Sequence, residues 1–160
     1  MLRCSHLNRA LYARESPVKE RIHNREVKVC PVVLRNSGNS SELLLFEHPL
    51  ADVQLVKGTL ELTDVSIESA GLRELKEESG ISKVSNTKYL GSWESGFQNQ
   101  LWHFVLCETE QNLPNRWSFY TQDDGGHEFS FFWHKVGDKP KFKCHKVFSD
   151  AIKQVEIMCI

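Results

Sequence analysis

Three glutamates near the middle of the chain are spaced so that their side chains share one face of a helix. The sequence predicts a helix over residues 66–79, with Ser66 as its N-cap, and Glu74, Glu77 and Glu78 lie near its C-terminal end. At about 100° of rotation per residue, their carboxylates fall within an arc of about 100°. Like charges at these spacings oppose helix formation, and the helix dipole disfavours negative charge at this end.

Two interpretations of this acidic face are open from these residues alone. A hard divalent cation such as Mg²⁺ prefers carboxylate oxygens and would turn both unfavourable effects into favourable ones. The alternative is an acidic helix face exposed to solvent, which is common in proteins without a bound ion.

The segment that contains these glutamates, residues 58–81, resembles the Nudix box. That motif has the pattern G-x5-E-x7-R-E-U-x-E-E-x-G-U, in which U is a bulky aliphatic residue. The opening glycine is matched by Gly58, and Glu61 stands where many members have an additional loop glutamate. The second half of the pattern is matched in full, by Arg73, Glu74, Leu75, Glu77, Glu78, Gly80 and Ile81. The chain is therefore similar, by motif, to the Nudix hydrolase family.

The resemblance implies Mg²⁺-dependent hydrolysis of a phosphate anhydride, with Mn²⁺ able to substitute. The substrate would be a nucleoside diphosphate linked to another moiety. Glu74, Glu77 and Glu78 would be catalytic and would bind the metal, and Arg73 would orient them. Gly58 would belong to the metal site, because a Cβ atom there would obstruct the approach of the backbone. The alternative function is a Nudix-fold module that binds a nucleotide without catalysis.

The chain departs from the family pattern in the loop before the helix. The upstream acid is Asp64 instead of glutamate, and one residue more than the pattern allows separates it from Arg73. In the family this acid mainly holds the loop to the helix, often through the arginine. A shorter side chain with an extra residue either restores the same reach or leaves the pair broken.

The general base varies among family members and often comes from a loop outside the box. The candidates here are Glu74 within the box and Asp123, Asp124, His127 and Glu128 outside it. The same Asp-Asp-Gly-Gly segment is also typical of a plain turn, because aspartate and glycine dominate turns.

Aromatic residues provide candidates for binding a nucleobase, which normally stacks on a ring. We predict Phe97 and Trp117 as substrate-binding residues, because both are expected to lie in loops. The alternative for each ring is a place in the hydrophobic core. The sequence does not select a particular substrate.

The remaining pattern predicts a mixed α/β (α+β) fold, a Nudix-like mixed β-sheet sandwiched between helices. Extended runs at residues 26–34 and 42–47 are expected to form a hairpin, with Pro31 at an edge or a bulge. Later elements are a short run at residues 53–56, strands at 88–93, 101–108 and 127–134, and a final helix capped by Ser149. A single domain over residues 1–160 is expected, with a helical extension at residues 1–25.

Composition limits the partners. The formal net charge is −1, which disfavours an extended nucleic acid. A small nucleotide-like molecule is the partner that the family resemblance implies. Five scattered cysteines without a CxxC pair and no apolar run of about 20 residues predict a cytoplasmic protein without a membrane span. Residues 1–14 carry arginines without acids, so a transit peptide is the alternative to an N-terminal helix. Homodimer formation is left open.

Overall fold

Two β-sheets form the centre of the molecule, with one helix packed on each side of them. The computed structural model describes residues 25–159, so the expectations for residues 1–14 and for a helical extension at residues 1–25 lie outside the described residues. The strands are β1 (Val27–Val32), β2 (Leu34–Ser37), β3 (Ser40–His48), β4 (Asp52–Gln54), β5 (Gly58–Thr59), β6 (Val84–Glu94), β7 (Leu101–Thr109), β8 (Arg116–Thr121) and β9 (His127–Lys135). The helices are α1 (Ile67–Ser79) and α2 (Lys146–Cys159).

The sheets have different pairing patterns. In the first, the order is β5-β1-β7-β6, with β1 and β7 parallel and the other neighbours antiparallel. In the second, the order is β2-β3-β9-β8, and β4 also pairs with β3. The α+β class with helices on both sides is confirmed, although the strands form two sheets instead of one.

Alternate side chains of β1 pack into two different hydrophobic cores, and each core includes one of the two helices. Val27 and Val29 point into a core shared with Ile67, Ala70 and Leu75 of α1. Cys30 and Val32 point into a second core shared with Phe148, Ala151 and Ile152 of α2. Because successive residues of a strand face opposite sides, a strand buried on both faces is apolar almost throughout. The acidic helix α1 is thereby fixed against the sheet.

The expected hairpin between residues 26–34 and 42–47 is wrong in its pairing. The first run divides at Val33 into β1, which joins one sheet, and β2, which joins the other. Only β2 forms the hairpin with β3, around the positive-φ Gly38. A continuous apolar run does not show where a chain passes between sheets, because both halves are buried. Pro31 lies beyond the last residue of β1 that pairs with β5, so its missing N–H breaks no bond of that ladder.

Helix α1 has the predicted boundaries. The Ser66 hydroxyl accepts a hydrogen bond from the Ser69 amide at 3.0 Å, and the Ser69 hydroxyl accepts one from the Ser66 amide at 3.1 Å. Gly80 ends the helix in the left-handed conformation, with φ of +77°.

Helix α2, in contrast, begins at Lys146, before the predicted cap Ser149. The Nδ1 atom of His145 accepts a hydrogen bond from the Val147 amide at 3.1 Å, so a histidine satisfies this first-turn donor.

Among residues 25–159, neither helix has the length and apolarity that a membrane crossing requires.

Gly71 inside α1 and Gly80 at its C-terminal cap should respond in opposite ways to replacement by alanine. A Cβ atom on Gly71 would make ordinary contacts of 3.5 Å with Val105 and Val29, so Gly71→Ala should stabilise the fold by up to about 1 kcal/mol through helix propensity. A Cβ atom on Gly80 would lie 2.6 Å from the Phe119 ring on a residue with positive φ, so Gly80→Ala should destabilise by at least about 1–2 kcal/mol. Urea denaturation measures both, and shifts of the same sign would contradict the packing described here.

Candidate active site and metal centre

Three carboxylates from two separate elements converge beside α1. Glu74 and Glu78 lie one helical turn apart on α1, and Asp123 comes from a single 3₁₀ turn, Asp123–Gly125, between β8 and β9. One oxygen from each of the three can be chosen such that all lie within 4.8 Å of one another. The predicted acidic face is therefore turned towards a third acid, and not towards open solvent alone.

Burial makes this cluster electrostatically strained. Burial and, to a smaller extent, the charge of Glu74 together raise the pKa of Glu78 to about 8, against the opposing effect of Lys57. Burial also raises the pKa of Glu74, although Arg73 opposes that shift. Oε2 of Glu78 is buried and accepts no hydrogen bond within residues 25–159. A buried acceptor without a donor is costly and needs a partner.

Arg73 holds the loop before α1 against the helix. Its Nε donates to Oδ1 of Asp64 at 3.1 Å, and one terminal nitrogen donates to Oδ2 at 2.9 Å. The second terminal nitrogen donates to Glu74 at 2.6 Å, and the guanidinium also reaches the Thr59 carbonyl at 3.2 Å. This two-point contact with a carboxylate is the geometry that a guanidinium favours. Despite the longer loop, the acid–arginine pair is intact.

Asp64 is itself fixed by the loop. Its Oδ2 accepts a hydrogen bond from the Glu61 amide at 2.8 Å, and its side chain is almost fully buried. Burial alone would raise the pKa of Asp64, but the hydrogen bonds from Arg73 and from the Glu61 amide outweigh it and lower that pKa. Asp64 is therefore held as a charged structural acid.

Gly58 leaves the space that the carboxylate of Glu74 occupies. A Cβ atom at this position would lie 1.8 Å from Cδ and 2.0 Å from both oxygens of Glu74. Any side chain here would displace that carboxylate from its place. The requirement for glycine thus arises from close approach, as the motif implied, and the atoms approached are those of a predicted metal ligand.

The cluster opens into a groove of about 510 Å³. Its walls come from β1, β3, the loop after β3, β4, the β5 segment, α1, the β8–β9 turn and β9. The lining includes Lys28, Phe46, His48, Gln54, Lys57, Thr59, Glu61, Arg73, Asp123 and Phe129 in addition to Gly58 and the three glutamates. Clefts of this size accept small ligands.

Glu77 lies in this groove but outside the three-carboxylate cluster. Its side chain is 45% exposed and approaches Arg73 at 3.5 Å. The structure therefore brings together two of the three predicted helix carboxylates with Asp123, and leaves Glu77 at the edge.

The candidates for the general base are separated by the fold. Asp123 is in the cluster and exposed, and Glu74 is bound by Arg73. The His127 ring lies 4.8 Å, centroid to centroid, from His48, which lines the groove. Glu128 is exposed and belongs to the face of β9 opposite Phe129, away from the groove. Asp124 lies in the same 3₁₀ turn, Asp123–Gly125.

The two predicted aromatic ligands have different environments. The expectation that Trp117 lies in a loop is wrong: it belongs to β8, stacks on Phe131 at 5.0 Å and donates its indole N–H to the Ser79 carbonyl. A proline and an asparagine before it suggested a loop, but the strand begins directly after them. Phe97 does lie in the β6–β7 loop, and neither ring lines the acidic groove.

The donor set fits a hard divalent cation. All of the clustered ligand atoms are carboxylate oxygens, one buried oxygen of Glu78 has no donor, and Gly58 keeps the approach clear.

The sequence did not predict Lys57 and His48 as groove residues. A lysine directly before the motif glycine was the available signal for Lys57, whereas nothing in the sequence marked His48.

Comparisons with known proteins find a matching family model and similar folds. The family model described as NUDIX domain matches residues 25–152. The NUDIX domain of Shewanella oneidensis NrtR, complexed with ADP ribose, is similar with a TM-score of 0.62 and 13% identity, over 88% of this chain and 92% of that chain. A MutT NUDIX hydrolase from Burkholderia pseudomallei gives 0.59 and 19%, over 82% and 98%. An ADP-ribose pyrophosphatase from Streptococcus suis gives 0.57 and 12%, over 83% and 89%. No curated protein sequence matches.

The Arg73–Asp64 pair should contribute measurably to stability. Asp64→Asn removes the charge that Arg73 contacts at two points, so the free energy of unfolding should fall by about 1.5–3 kcal/mol. Glu61→Gln is the matched control, because the Glu61 side chain is exposed and its ion pair with Arg73 is long, at 3.9 Å. This substitution should change the free energy of unfolding by less than about 0.5 kcal/mol. Urea denaturation with EDTA present measures both. Equal effects of the two variants would refute the structural role of Asp64.

The metal-free protein should lose stability as pH rises, because of Glu78. Its folded-state pKa of about 8 exceeds its ordinary value of 4.5, so the folded state holds an extra proton between these pH values. The stabilisation linked to that proton is complete below pH 4.5 and is lost as pH rises through about 8. The melting temperature of Glu78→Gln, relative to the unsubstituted protein, should therefore increase across this interval in EDTA. Parallel pH profiles of the two proteins would contradict the assignment.

Proposed function

The chain belongs to the NUDIX domain family, and we propose that it hydrolyses a pyrophosphate bond in a nucleoside diphosphate linked to another moiety, with Mg²⁺ or Mn²⁺ as its cofactor. The observation that carries this proposal is the convergence of Glu74, Glu78 and Asp123 within 4.8 Å. Such a cluster opposes folding unless a cation offsets it, and the chain nevertheless keeps it in a groove of ligand size.

The residues that would hold the cation are Glu74, Glu78 and Asp123, with Glu77 supplying a further carboxylate at the edge of the groove. Gly58 keeps the position of Glu74 clear. When bound, a divalent cation neutralises phosphate oxygens and lowers the pKa of a coordinated water.

The chain's own groups supply positioning and proton transfer. Arg73 fixes the carboxylate of Glu74 by a hydrogen bond of 2.6 Å, so it acts as a positioning residue. Asp123 is the acid that lies outside the box, on a turn facing the helix carboxylates, and its carboxylate is our choice for accepting the proton of the attacking water. Lys57, which lines the groove, offers an ammonium to the negative phosphate oxygens.

A binding module without catalysis is the second candidate. It is supported by the similarity to the NrtR NUDIX domain, which was crystallised with ADP ribose, and another NrtR structure that this chain resembles contains a 27mer DNA. The acidic cluster favours hydrolysis, because binding alone gives no reason to keep buried carboxylates so close together. A net charge of −1 also disfavours an extended nucleic acid as partner of this chain.

Metal-dependent turnover is the decisive measurement. A panel of nucleoside diphosphate derivatives, with ADP ribose among them, should give phosphate-containing products only when Mg²⁺ or Mn²⁺ is present. Glu78→Gln should reduce kcat/KM at least 100-fold, because it removes a charged ligand from the metal site. Glu68→Gln is the matched control, since Glu68 lies on the first turn of the same helix and outside the groove, and it should leave the rate unchanged.

Two outcomes would count against hydrolysis. If the panel gave no metal-dependent turnover while a nucleotide still bound, the binding module would be correct. If Glu78→Gln and Glu68→Gln had equal rates, the acidic cluster would not be the catalytic site.

A further inference from the structure

A second cavity lies directly beside the acidic groove and shares Ala51, Gln54 and Lys57 with it. We propose that this cavity, of about 410 Å³, binds the nucleobase of the substrate, stacked on Phe97, while Lys57 contacts the phosphates between the base and the acidic cluster. The proposal rests on the proposed function, because it assumes that the pyrophosphate occupies the groove. On this proposal, the cavity determines which nucleotides are substrates.

Lys57 lines both spaces, and its ammonium has no hydrogen-bond acceptor within residues 25–159. Its Nζ lies 5.8 Å from the centroid of the Trp102 ring and 5.4 Å from that of Phe148. No hydrogen bond or ion pair engages this ammonium in the part of the chain that the structure describes. An ammonium carries three donors, and aromatic faces satisfy its charge only in part. A phosphate oxygen that entered from the groove would provide the missing acceptor.

Aromatic rings packed against each other form the floor of the cavity. Trp102 is fully buried, and its indole N–H donates to Gln100 at 3.1 Å. Phe148 packs edge-on against it, at 5.8 Å between ring centroids and 68° between ring planes. These rings form an apolar floor, which suits a planar base better than a hydrated sugar or a phosphate.

Phe97 is the ring that remains accessible for stacking, and a strained turn holds it. Gln98 and Asn99 both have positive φ, at 49° and 54°, which is unfavourable for residues with a Cβ atom. The turn is closed by the Gln100 amide donating to the Phe97 carbonyl at 2.9 Å, and Ser95 Oγ accepts from the Phe97 amide at 3.1 Å. This arrangement fixes a partly buried phenylalanine at the cavity wall before any ligand binds.

His145 adds a polar group to the same wall. Because its Nδ1 accepts the Val147 amide, the neutral ring carries its proton on Nε2. The ring packs edge-on against Phe97, at 5.1 Å between centroids. The cavity therefore combines a stacking surface with a donor for an acceptor atom on the edge of a base, which is the usual composition of a small-molecule site.

Equilibrium binding in the presence of Mg²⁺ separates this proposal from the proposed function. The probes are methylenediphosphonate, which has no base, and the α,β-methylene analogues of ADP, GDP and UDP, which cannot be cleaved at that bridge. Mg²⁺-dependent binding of methylenediphosphonate tests the acidic groove. The additional affinity of a nucleotide analogue tests the cavity, and at least one analogue should bind about tenfold or more tightly than methylenediphosphonate.

Variants assign that additional affinity to Phe97. Phe97→Ala should weaken binding of the preferred analogue about tenfold and leave methylenediphosphonate unchanged, whereas Phe97→Trp should retain the affinity. Phe142→Ala is the matched control, because Phe142 is also a partly buried ring but packs on Phe132 outside the cavity, and it should change neither probe. Lys57→Met should weaken both probes.

The proposal is overturned if no nucleotide analogue binds more tightly than methylenediphosphonate. It is also overturned if Phe97→Ala and Phe142→Ala have the same effect, since the loss would then reflect general destabilisation. If the analogues bind through Phe97 but no substrate is hydrolysed, the cavity stands and the hydrolytic function fails.

Discussion

The mutual repulsion of three clustered carboxylates is the constraint on which the rest of this structure depends. Glu74, Glu78 and Asp123 are brought within 4.8 Å although burial already raises the pKa values of the two glutamates. Two cationic side chains, Arg73 and Lys57, offset part of this repulsion. Arg73 binds Glu74 directly, whereas Lys57 acts on Glu78 through its charge and its backbone N–H, and its ammonium donates to no acceptor within the described residues. A fold selected only for stability would have no reason to build such a site, and perturbed carboxylates in a groove indicate function.

The longer loop shows how geometry is kept when sequence spacing changes. The loop between Asp64 and Arg73 has one residue more than the family pattern, yet the guanidinium contacts both oxygens of the acid. The shorter aspartate is stabilised by the Glu61 amide, so the carboxylate is placed by the loop backbone and less by the length of its own side chain. What the motif specifies physically is a buried anion within reach of the guanidinium. The number of intervening residues is only one way to achieve it.

The sequence predicted local features well and contacts between distant segments poorly. Helix α1 was predicted with both ends, because Ser66 and Gly80 act through neighbouring backbone groups. The division of residues 26–34 between two sheets was not predicted, since either face of an apolar run can be buried. Trp117 was placed in a loop because proline marks loops, although a strand can begin two residues later. Asp123 could be named as a candidate but not chosen, because its position depends on how β8 and β9 pair beside α1.

The contrast between local features and contacts between distant segments also applies to the motif and the walls around it. The acidic cluster depends mainly on carboxylates at fixed helical spacing, so one short segment of sequence contains Glu74 and Glu78 together with Arg73. The walls beside the groove come from segments that are distant in sequence, among them the β6–β7 turn and the start of α2. No spacing rule relates such segments, and each can change without disturbing the carboxylates. Substrate choice in this chain should therefore be determined where no motif exists, and Lys57, which borders both spaces, is the physical link between the acidic groove and the aromatic cavity.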